Sequence, residues 1–269
     1  MRDAALKGLA VGFFDGVHLG HQAILKDAAA ALTFGTHPLA VLDPARAPHL
    51  IMTREERLSA IGCPTKVLDF TPDLAAQSPE DFAARFLAGW CVRCGSNWRF
   101  GRGGIGDADW LRRHGYAVEV IEPAVYQGEM ISSSRIRAAL SRGELEDANA
   151  MLGRRYAVCG EVMPGKGLGR RLGYPTVNVQ PPRELLLPQG VYAVEAAGVK
   201  GIANYGCAPT MGAQAWQVPV LEVHFLGDVP SAPPQLRVEF ERFIRPERTF
   251  ASPEELKTQI AADVRAASF

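Results

Sequence analysis

The sequence predicts an α/β protein in two parts: an open sheet with helices, followed by a small antiparallel β-barrel that ends in a helix. Three observations predict this fold class. The chain has 269 residues, which is enough for two ordinary domains. Its first half alternates strand-like and helix-like segments, as expected for a mostly parallel sheet. Its second half has segments with apolar residues at every second position, separated by Pro and Gly turns, as in small barrels.

The composition excludes several other classes of protein. A hydrophobic fraction of 47% supports real cores and excludes a disordered chain. Lys and Arg number 29 and Asp and Glu number 29, whereas a dedicated nucleic-acid binder is usually basic. No apolar run approaches the roughly 18 residues of a membrane span, and the N-terminus lacks the pattern of a signal peptide. We therefore expect neither nucleic acid nor a membrane as a partner.

The cysteines predict a reducing compartment. The chain has 5 of them, an odd and scattered set that is typical of reduced thiols in the cytoplasm. Cys91 and Cys94 form a single CxxC pair, but a structural zinc site needs a second pair of ligands at matching spacing. We interpret these residues as ordinary, partly buried thiols and expect a cytoplasmic protein.

Local patterns predict the elements of the first half. Residues 9–13 read as a strand, which a glycine-rich loop joins to a helix beginning near Gly20 or His21. Ser78 is placed to cap a later helix, because Pro79 follows at the first helical position and acids fill the first turn. The alternation of strand and helix predicts an open parallel sheet.

A helical connection is predicted to join the two halves. Residues 135–155 carry a charged helical pattern whose apolar stripe is broken by Gly143. We place the boundary near Gly153, which gives one domain of residues 1–152 and a second of residues 153–269.

The second half predicts a barrel and a terminal helix. Segments 190–195, 221–225 and 235–240 alternate with period two. Ser252 begins a capping box with Pro at the first helical position, which predicts the start of the last helix. The residues expected to dock this helix, spaced four apart, are Leu256, Ile260 and Val264.

Residues 12–21, GFFDGVHLGH, form the first motif that carries chemistry. Gly20 lets backbone approach a phosphate, and a helix start offers unpaired N–H groups and a positive dipole end. His18 and His21 can then both reach one bound anion. Adenylyl transfer needs such an arrangement, because the attack of a phosphate oxygen on the α-phosphorus of ATP depends on positioning and charge stabilisation. The alternative is that two histidines three residues apart are ordinary surface residues.

Residues 131–137, ISSSRIR, form a second candidate at a helix start. Hydroxyls and backbone N–H groups there suit a polyphosphate, and Arg135 adds a permanently charged, forked donor. The alternative is a capped amphipathic helix with exposed arginines. Together, the two motifs favour nucleotidyl transfer.

With these motifs, the chain resembles the bifunctional bacterial riboflavin kinase/FMN adenylyltransferases. In the first half the resemblance rests on GFFDGVHLGH (12–21), TFGTHP (33–38), GSNWRFG (95–101) and ISSSRIR (131–137). It implies a Rossmann-like nucleotidyltransferase sheet. The ATP and phosphate residues that it implies are Gly12, Phe14, His18, Gly20, His21, Ser133 and Arg135, among which His18, His21 and Arg135 are the catalytic candidates. The residues that it implies for the nucleotide and flavin pocket are His37, Pro38 and Asn97.

In the second half the resemblance rests on GEVMPGKGLGRRLGYPTVNV (160–179), GVYAV (190–194), GIANYGCAPT (201–210), LEVHF (221–225) and IRPERTF (244–250). It implies a riboflavin kinase-like barrel. The implied phosphate loop lacks the GK[ST] ending of a Walker A loop, and its residues are Gly165, Lys166, Gly167, Gly169 and Arg170. The resemblance also implies that Thr176 and Asn178 bind Mg²⁺ and ATP. Their two oxygens are hard ligands on one side of an extended segment, which suits this ion.

Glu222 is the candidate base of a kinase. The odd positions of 221–225 are apolar, so Glu222 and its neighbour His224 project from the other face of the strand. A carboxylate there can take the proton of a ribityl hydroxyl that attacks the γ-phosphorus of ATP, and the family carries its catalytic glutamate at this position. Arg245 either helps to hold the flavin or pairs with Glu247, and the structural interpretation is slightly favoured.

The resemblance therefore implies an enzyme with two activities. ATP phosphorylates riboflavin to FMN, and a second ATP adenylylates FMN to FAD with release of pyrophosphate. Flavins are then substrate and product, and Mg²⁺ accompanies ATP. One alternative is a riboflavin kinase alone, because only eleven residues, 22–32, separate the helix start from the next predicted strand. Another is a flavin-binding regulator without turnover, which an intact Glu222 disfavours.

Overall fold

The computed structural model describes residues 6–164, 173–207, 219–227 and 233–267. The chain divides into two compact units, Met1–Arg135 and Ile136–Phe269. The residues between 136 and 152 group with the second unit, and the expected boundary at residues 152 and 153 stays a prediction. Among the described residues, none of the helices is both long and apolar enough to cross a membrane.

The first unit contains a five-stranded parallel sheet in the order β3-β2-β1-β4-β5. Its strands are β1 (Gly8–Val11), β2 (Ala30–Phe34), β3 (Thr65–Leu68), β4 (Cys91–Gly95) and β5 (Val118–Ile121). Its helices are α1 (Leu19–Leu25), α2 (Pro38–Leu42), α3 (Arg54–Ile61), α4 (Pro72–Ala76), α5 (Pro79–Phe86) and α6 (Ala108–Arg113), with short 3-10 turns at Pro44–Arg46 and Arg102–Gly104. A two-stranded ribbon of β6 (Val125–Tyr126) and β7 (Glu129–Met130) precedes α7 (Ser133–Arg142).

Strand β1 lies at the centre of this sheet, and both of its faces are buried. Leu9 and Val11 belong to a core that includes residues of α5 and α6, whereas Ala10 belongs to a second core that includes residues of α1 and α3. The chain continues from β1 to β2 on one side and reaches β4 on the other. This reversal of strand order opens a crevice at the carboxyl end of β1, which is where open α/β sheets bind their ligands.

The short connection after the first motif is sufficient for a parallel crossover. Helix α1 has only 7 residues. The chain then turns through Asp27, which has a φ of +60°, and the Ala29 amide donates to the Gly8 carbonyl as β2 begins. The predicted strand 9–13 is shorter than expected at its end, because Phe14 adopts a φ of +61° and the loop has already begun at Gly12. The predicted cap is confirmed: the Ser78 hydroxyl accepts a hydrogen bond from the Asp81 amide.

The second unit is a closed barrel in the order β10-β11-β12-β9-β8-β13, flanked by helices. Its strands are β8 (Tyr156–Met163), β9 (Thr176–Gln180), β10 (Gly190–Ala196), β11 (Val199–Cys207), β12 (Pro219–Phe225) and β13 (Gln235–Pro246). Its helices, besides the greater part of α7, are α8 (Leu145–Leu152) and α9 (Pro253–Ala266). The predicted fold class, an open α/β sheet followed by an antiparallel barrel and a final helix, is therefore confirmed.

Packing around the barrel follows the predicted apolar positions. Gly143 interrupts the helical segment with a φ of +75°, and Gly153 ends α8 in the left-handed conformation. On the last helix, Ile260 and Val264 pack against barrel residues, as expected. The Ser252 side chain caps this helix by accepting from the Glu255 amide, again as expected.

Candidate active sites

His18 and His21 form a stacked pair at the carboxyl end of the central strand. His18 is the N-cap of α1, and its Nδ1 accepts a hydrogen bond from the His21 amide at 3.3 Å. The two rings are nearly parallel, with centroids 3.6 Å apart. The two imidazoles therefore lie side by side, and their reach to one bound anion stays a prediction.

The glycines of the loop make room for this pair. A Cβ on Gly20 would lie 3.2 Å from two atoms of the His18 ring. A Cβ on Gly12 would lie 2.9 Å from the ring of Phe14, which is buried and packs edge-on against His21 at a centroid distance of 5.4 Å. Gly12 thus leaves room for the Phe14 ring, which in turn packs against His21.

Burial makes His21 a poor base in the free protein. Its pKa lies well below the ordinary value, first because burial disfavours the charged ring and second because His18 would add a like charge. Its Nδ1 is buried and, among the described residues, has no hydrogen-bond partner. The His21 ring is therefore neutral in the free protein at neutral pH.

Ser133 joins the second motif to the first, whereas Arg135 has another set of partners. The Ser133 hydroxyl donates to the Asp15 carbonyl at 2.9 Å. The Arg135 guanidinium donates to the carbonyls of the β6–β7 ribbon, including Glu129 at 2.9 Å and Met130 at 3.1 Å, and pairs with the Glu129 carboxylate at 3.4 Å. These contacts hold Arg135 against the ribbon, and its expected phosphate role stays a prediction.

Sequence reasoning passed over Arg137 in the same motif. Residues four apart share one face of a helix, so Arg137 lies on the face of α7 that carries Ser133.

The residues expected at the flavin pocket lie at the carboxyl ends of the strands beside β1. His37 is the N-cap of α2, accepts from the Leu39 amide at 3.2 Å, and packs edge-on against Phe13 at 4.7 Å. Pro38 is the first residue of that helix. Asn97 follows β4 and is exposed. The crevice at β1 therefore has candidate residues on both sides.

Arg57 is a second residue that sequence reasoning missed. It lies on α3, its side chain is 1% exposed, and it donates hydrogen bonds to oxygens of the segments that follow β1 and β2. No local pattern distinguishes it, because all of its partners are more than twenty residues away.

The CxxC pair lies on β4, inside the sheet. Cys94 is buried, and burial raises the pKa of its thiol to about 11. Cys94 is therefore a protonated thiol rather than a thiolate at neutral pH.

In the second unit, the strand register aligns the kinase candidates in one row. Glu222 on β12 lies opposite Asn178 on β9 and opposite Asn204 on β11. Leu221 and Val223 are fully buried while Glu222 is exposed, which confirms the predicted alternation. Asn204 is a further polar member of this row that sequence reasoning did not single out, although its position on an alternating strand was a signal.

Asn178 carries an unsatisfied oxygen. Its Oδ1 is buried and, within the described part of the chain, has no hydrogen-bond partner. Thr176 lies two residues earlier on β9, is exposed, and pairs in register with His224. The His224 Nδ1 lies 2.9 Å from the Pro175 carbonyl oxygen, so this imidazole is engaged with the backbone beside the row.

The expected pairing of Arg245 with Glu247 is wrong. Arg245 forms a bidentate pair with Asp263 on α9, with distances of 2.9 and 2.7 Å, because the two side chains meet where the last helix crosses the end of β13. Glu247 instead lies over Gly206 and reaches toward Asn204. The flavin role of Arg245 stays a prediction.

Part of the predicted kinase site lies outside the described residues. This part is the phosphate loop, with Gly165, Lys166, Gly167, Gly169 and Arg170.

Comparison with known proteins covers both units. The family model described as FAD synthetase matches residues 3–135, and the model described as riboflavin kinase matches residues 152–268. A solved structure described as a macrolide-efflux protein from Streptococcus pneumoniae is 25% identical, with a TM-score of 0.82 over 98% of this chain and 94% of that chain.

Curated relatives match along almost the whole chain. A bifunctional riboflavin kinase/FMN adenylyltransferase from Listeria monocytogenes is 32% identical over 96% of this chain and 90% of its own length. Relatives of the same name from Pseudomonas fluorescens and Escherichia coli K12 are 34% and 32% identical, over 96% and 95% of this chain and 90% of their own lengths. With both motif sets in place and this similarity in both units, the chain belongs to the family of bifunctional riboflavin kinase/FMN adenylyltransferases.

Proposed function

We propose that the two ATP-dependent transfers are divided between the two units. The first unit adenylylates FMN to FAD at the loop of residues 12–21, and the second phosphorylates riboflavin to FMN at the row of Glu222. The observation that carries this proposal is that His18, His21 and Ser133 belong to one loop region of the first unit, while Asn178 and Glu222 pair in register on neighbouring strands of the second. The loop region lies at the carboxyl edge of the sheet, and the paired residues lie on one face of the barrel.

Adenylyl transfer depends on the two stacked histidines. A phosphate oxygen of FMN attacks the α-phosphorus of ATP, the bond to the oxygen that bridges to the β-phosphate breaks, and pyrophosphate leaves. The approach of phosphate raises the pKa of His21, because a nearby negative charge favours the protonated ring. A charged imidazole then donates to a phosphoryl oxygen as negative charge accumulates. His18 and Ser133 hold the loop that positions this ring.

Riboflavin phosphorylation depends on Glu222. Its carboxylate accepts the proton of the terminal ribityl hydroxyl while the hydroxyl oxygen attacks the γ-phosphorus of ATP, and ADP leaves. The exposed position of Glu222, between Asn178 and Asn204, supports this role.

The oxygens of Thr176 and Asn178 fit Mg²⁺. This ion prefers hard oxygen ligands, and the Oδ1 of Asn178, which has no hydrogen-bond partner among the described residues, is an oxygen of that kind. When bound with ATP, the ion neutralises negative charge on the phosphates. We expect Asn178→Ala to raise the Mg²⁺ concentration for half-maximal riboflavin phosphorylation by about tenfold or more, with FAD formation from supplied FMN unchanged.

A product assay tests the proposal. Purified protein is incubated with riboflavin and Mg-ATP, and the flavins are separated by chromatography. We expect FMN to appear first and FAD to follow. Formation of FMN without FAD would mean that the chain has only the kinase activity. The absence of both products would refute both assignments.

Two variants separate the sites. His21→Ala should abolish FAD formation from supplied FMN and leave riboflavin phosphorylation intact, whereas Glu222→Gln should lower phosphorylation by about 10²–10⁴-fold and leave FAD formation intact. The exposed residues His49 and Glu161 provide matched controls, as His49→Ala and Glu161→Gln. A Glu222→Gln enzyme with the full kinase rate would remove the base assignment.

A cytoplasmic location, which the cysteines predict, stays a prediction, and so does the absence of nucleic-acid and membrane partners, which the composition and hydropathy predict. The thiols of Cys63, Cys91, Cys94 and Cys159 form no disulfide among the described residues, which supports a reducing compartment. Cell fractionation with an antibody to the full chain tests the location.

A further inference from the structure

Arg57 is a buried charge that neither proposed mechanism uses. It is the largest fully buried side chain among the described residues, with 1% of its surface exposed. Removing a guanidinium from water is costly unless hydrogen bonds satisfy its donors. Its Nε is buried and has no hydrogen-bond partner among the described residues, so the two terminal nitrogens carry the compensation, and their partners indicate what the residue does.

The partners of Arg57 belong to two different loops. One terminal nitrogen donates to the Phe13 carbonyl at 2.7 Å and to the Thr33 hydroxyl at 2.8 Å. The other donates to the carbonyls of Phe34 at 2.8 Å and Gly35 at 3.3 Å. Phe13 lies in the loop that leads to His18 and His21, whereas the other three acceptors lie at the end of β2 and just after it. The fork of the guanidinium thus spans the carboxyl ends of two adjacent strands.

Two further contacts extend this clamp to the proposed site. The guanidinium carbon lies 4.1 Å from the centroid of the Phe13 ring, and the same ring packs edge-on against His37. The Thr33 hydroxyl donates to the Phe13 carbonyl at 3.2 Å, so this oxygen receives two hydrogen bonds. Any shift of Arg57 therefore reaches both the histidine loop and the start of α2.

The charge of Arg57 has two favourable neighbours, Asp15 and Glu55, and one unfavourable neighbour, Arg54. Burial lowers its pKa, and the carboxylate of Asp15 opposes that shift. Asp15 is itself buried in the histidine loop, where its Oδ1 accepts from the Ile51 amide at 2.9 Å and its carbonyl accepts from Ser133. The attraction between the two charges is a second link from α3 to the loop.

We infer that Arg57 is a positioning residue for FMN adenylyl transfer, which fixes the histidine loop relative to the segment that carries His37. This inference rests on the proposed assignment of that reaction to residues 12–21. A lysine cannot replace the arginine, because a single ammonium lacks the planar fork that reaches four acceptors in two loops. A hydrophobic side chain of similar length retains the packing and loses every hydrogen bond.

The test uses the full chain and its two activities. Arg57→Met and Arg57→Lys are compared with Arg46→Met, a change at an arginine whose side chain is 78% exposed. For each protein, kcat and KM for ATP and FMN are measured for FAD formation, with circular dichroism as the measure of correct folding and riboflavin phosphorylation as a control for the second unit. We expect Arg57→Met to lower kcat for FAD formation by about 100-fold with little change in KM for ATP, and Arg57→Lys to fall between it and wild type. Riboflavin phosphorylation and the Arg46→Met enzyme should stay at wild-type rates.

Each alternative outcome decides the matter. A folded Arg57→Met enzyme with the wild-type rate of FAD formation overturns the inference, and so does an equal loss of both activities in proportion to the unfolded fraction. If Arg57→Met does not fold, Thr33→Val removes one acceptor at constant volume; we expect a loss of about fivefold in kcat, and an unchanged kcat refutes the clamp. Retained FAD formation in His21→Ala would instead refute the proposed site, so the two failures are distinguishable.

Discussion

The ion pair between Arg245 and Asp263 should carry much of the stability of the last helix. The change Asp263→Asn keeps the size of the side chain and one acceptor oxygen, and removes the charge and one of the two charge-assisted hydrogen bonds. Asp263 is 3% exposed and Arg245 16% exposed at the side chain, so water restores little of what is lost. A hydrogen bond to a charged group contributes about 1.5–3 kcal/mol, and we expect the free energy of unfolding to fall by about 2–3 kcal/mol.

Urea denaturation followed by circular dichroism measures this change, with riboflavin phosphorylation as a second probe. The matched control is Asp109→Asn, because Asp109 and Arg112 lie at the same 2.7 Å but are 69% and 51% exposed. That change should have no measurable effect. If Asp263→Asn costs no more than Asp109→Asn, burial does not strengthen the pair and the reasoning fails. If Arg245 also contacts the flavin, Asp263→Asn raises KM for riboflavin.

Three further outcomes are expected in the first unit. Gly20→Ala places a Cβ against the His18 ring and should lower kcat for FAD formation by about tenfold, with riboflavin phosphorylation unchanged. The pKa of His21 is lowered in the folded chain, so the unfolded chain binds a proton first as the pH falls. The free energy of unfolding, measured by urea denaturation at a series of pH values, should therefore decrease below about pH 6.5. His21→Gln should remove this contribution to the pH dependence. Arg137→Ala should reduce FAD formation more than Arg135→Ala, and equal kinetic losses would contradict a structural role of Arg135.

The elements that sequence reasoning predicted correctly are governed by local rules. The caps at Ser78 and Ser252 depend on residues within one helical turn, and the alternation around Glu222 depends on side chains two positions apart. The early end of β1 was not predictable, because the left-handed conformation of Phe14 is set by the packing of its ring within the loop.

The errors at the sites share a different cause. Arg245 was matched with Glu247, an acid two residues away, whereas its partner lies 18 residues away on another element. Arg57 reaches acceptors that are 22 to 44 residues distant, so no local pattern could identify it. Residues that connect elements are specified by the whole fold, and single-sequence patterns report only on the elements themselves.

The register of the barrel restricts how the length of this chain can change. Glu222, Asn178 and Asn204 share a face only while β9, β11 and β12 keep their pairing. Since side chains alternate strictly along a strand, the loss of one residue within β9 would turn Asn178 toward the barrel interior and bring an apolar neighbour to the surface. Insertions and deletions are therefore expected to accumulate in the connections between strands, while strand lengths near the kinase row stay constant.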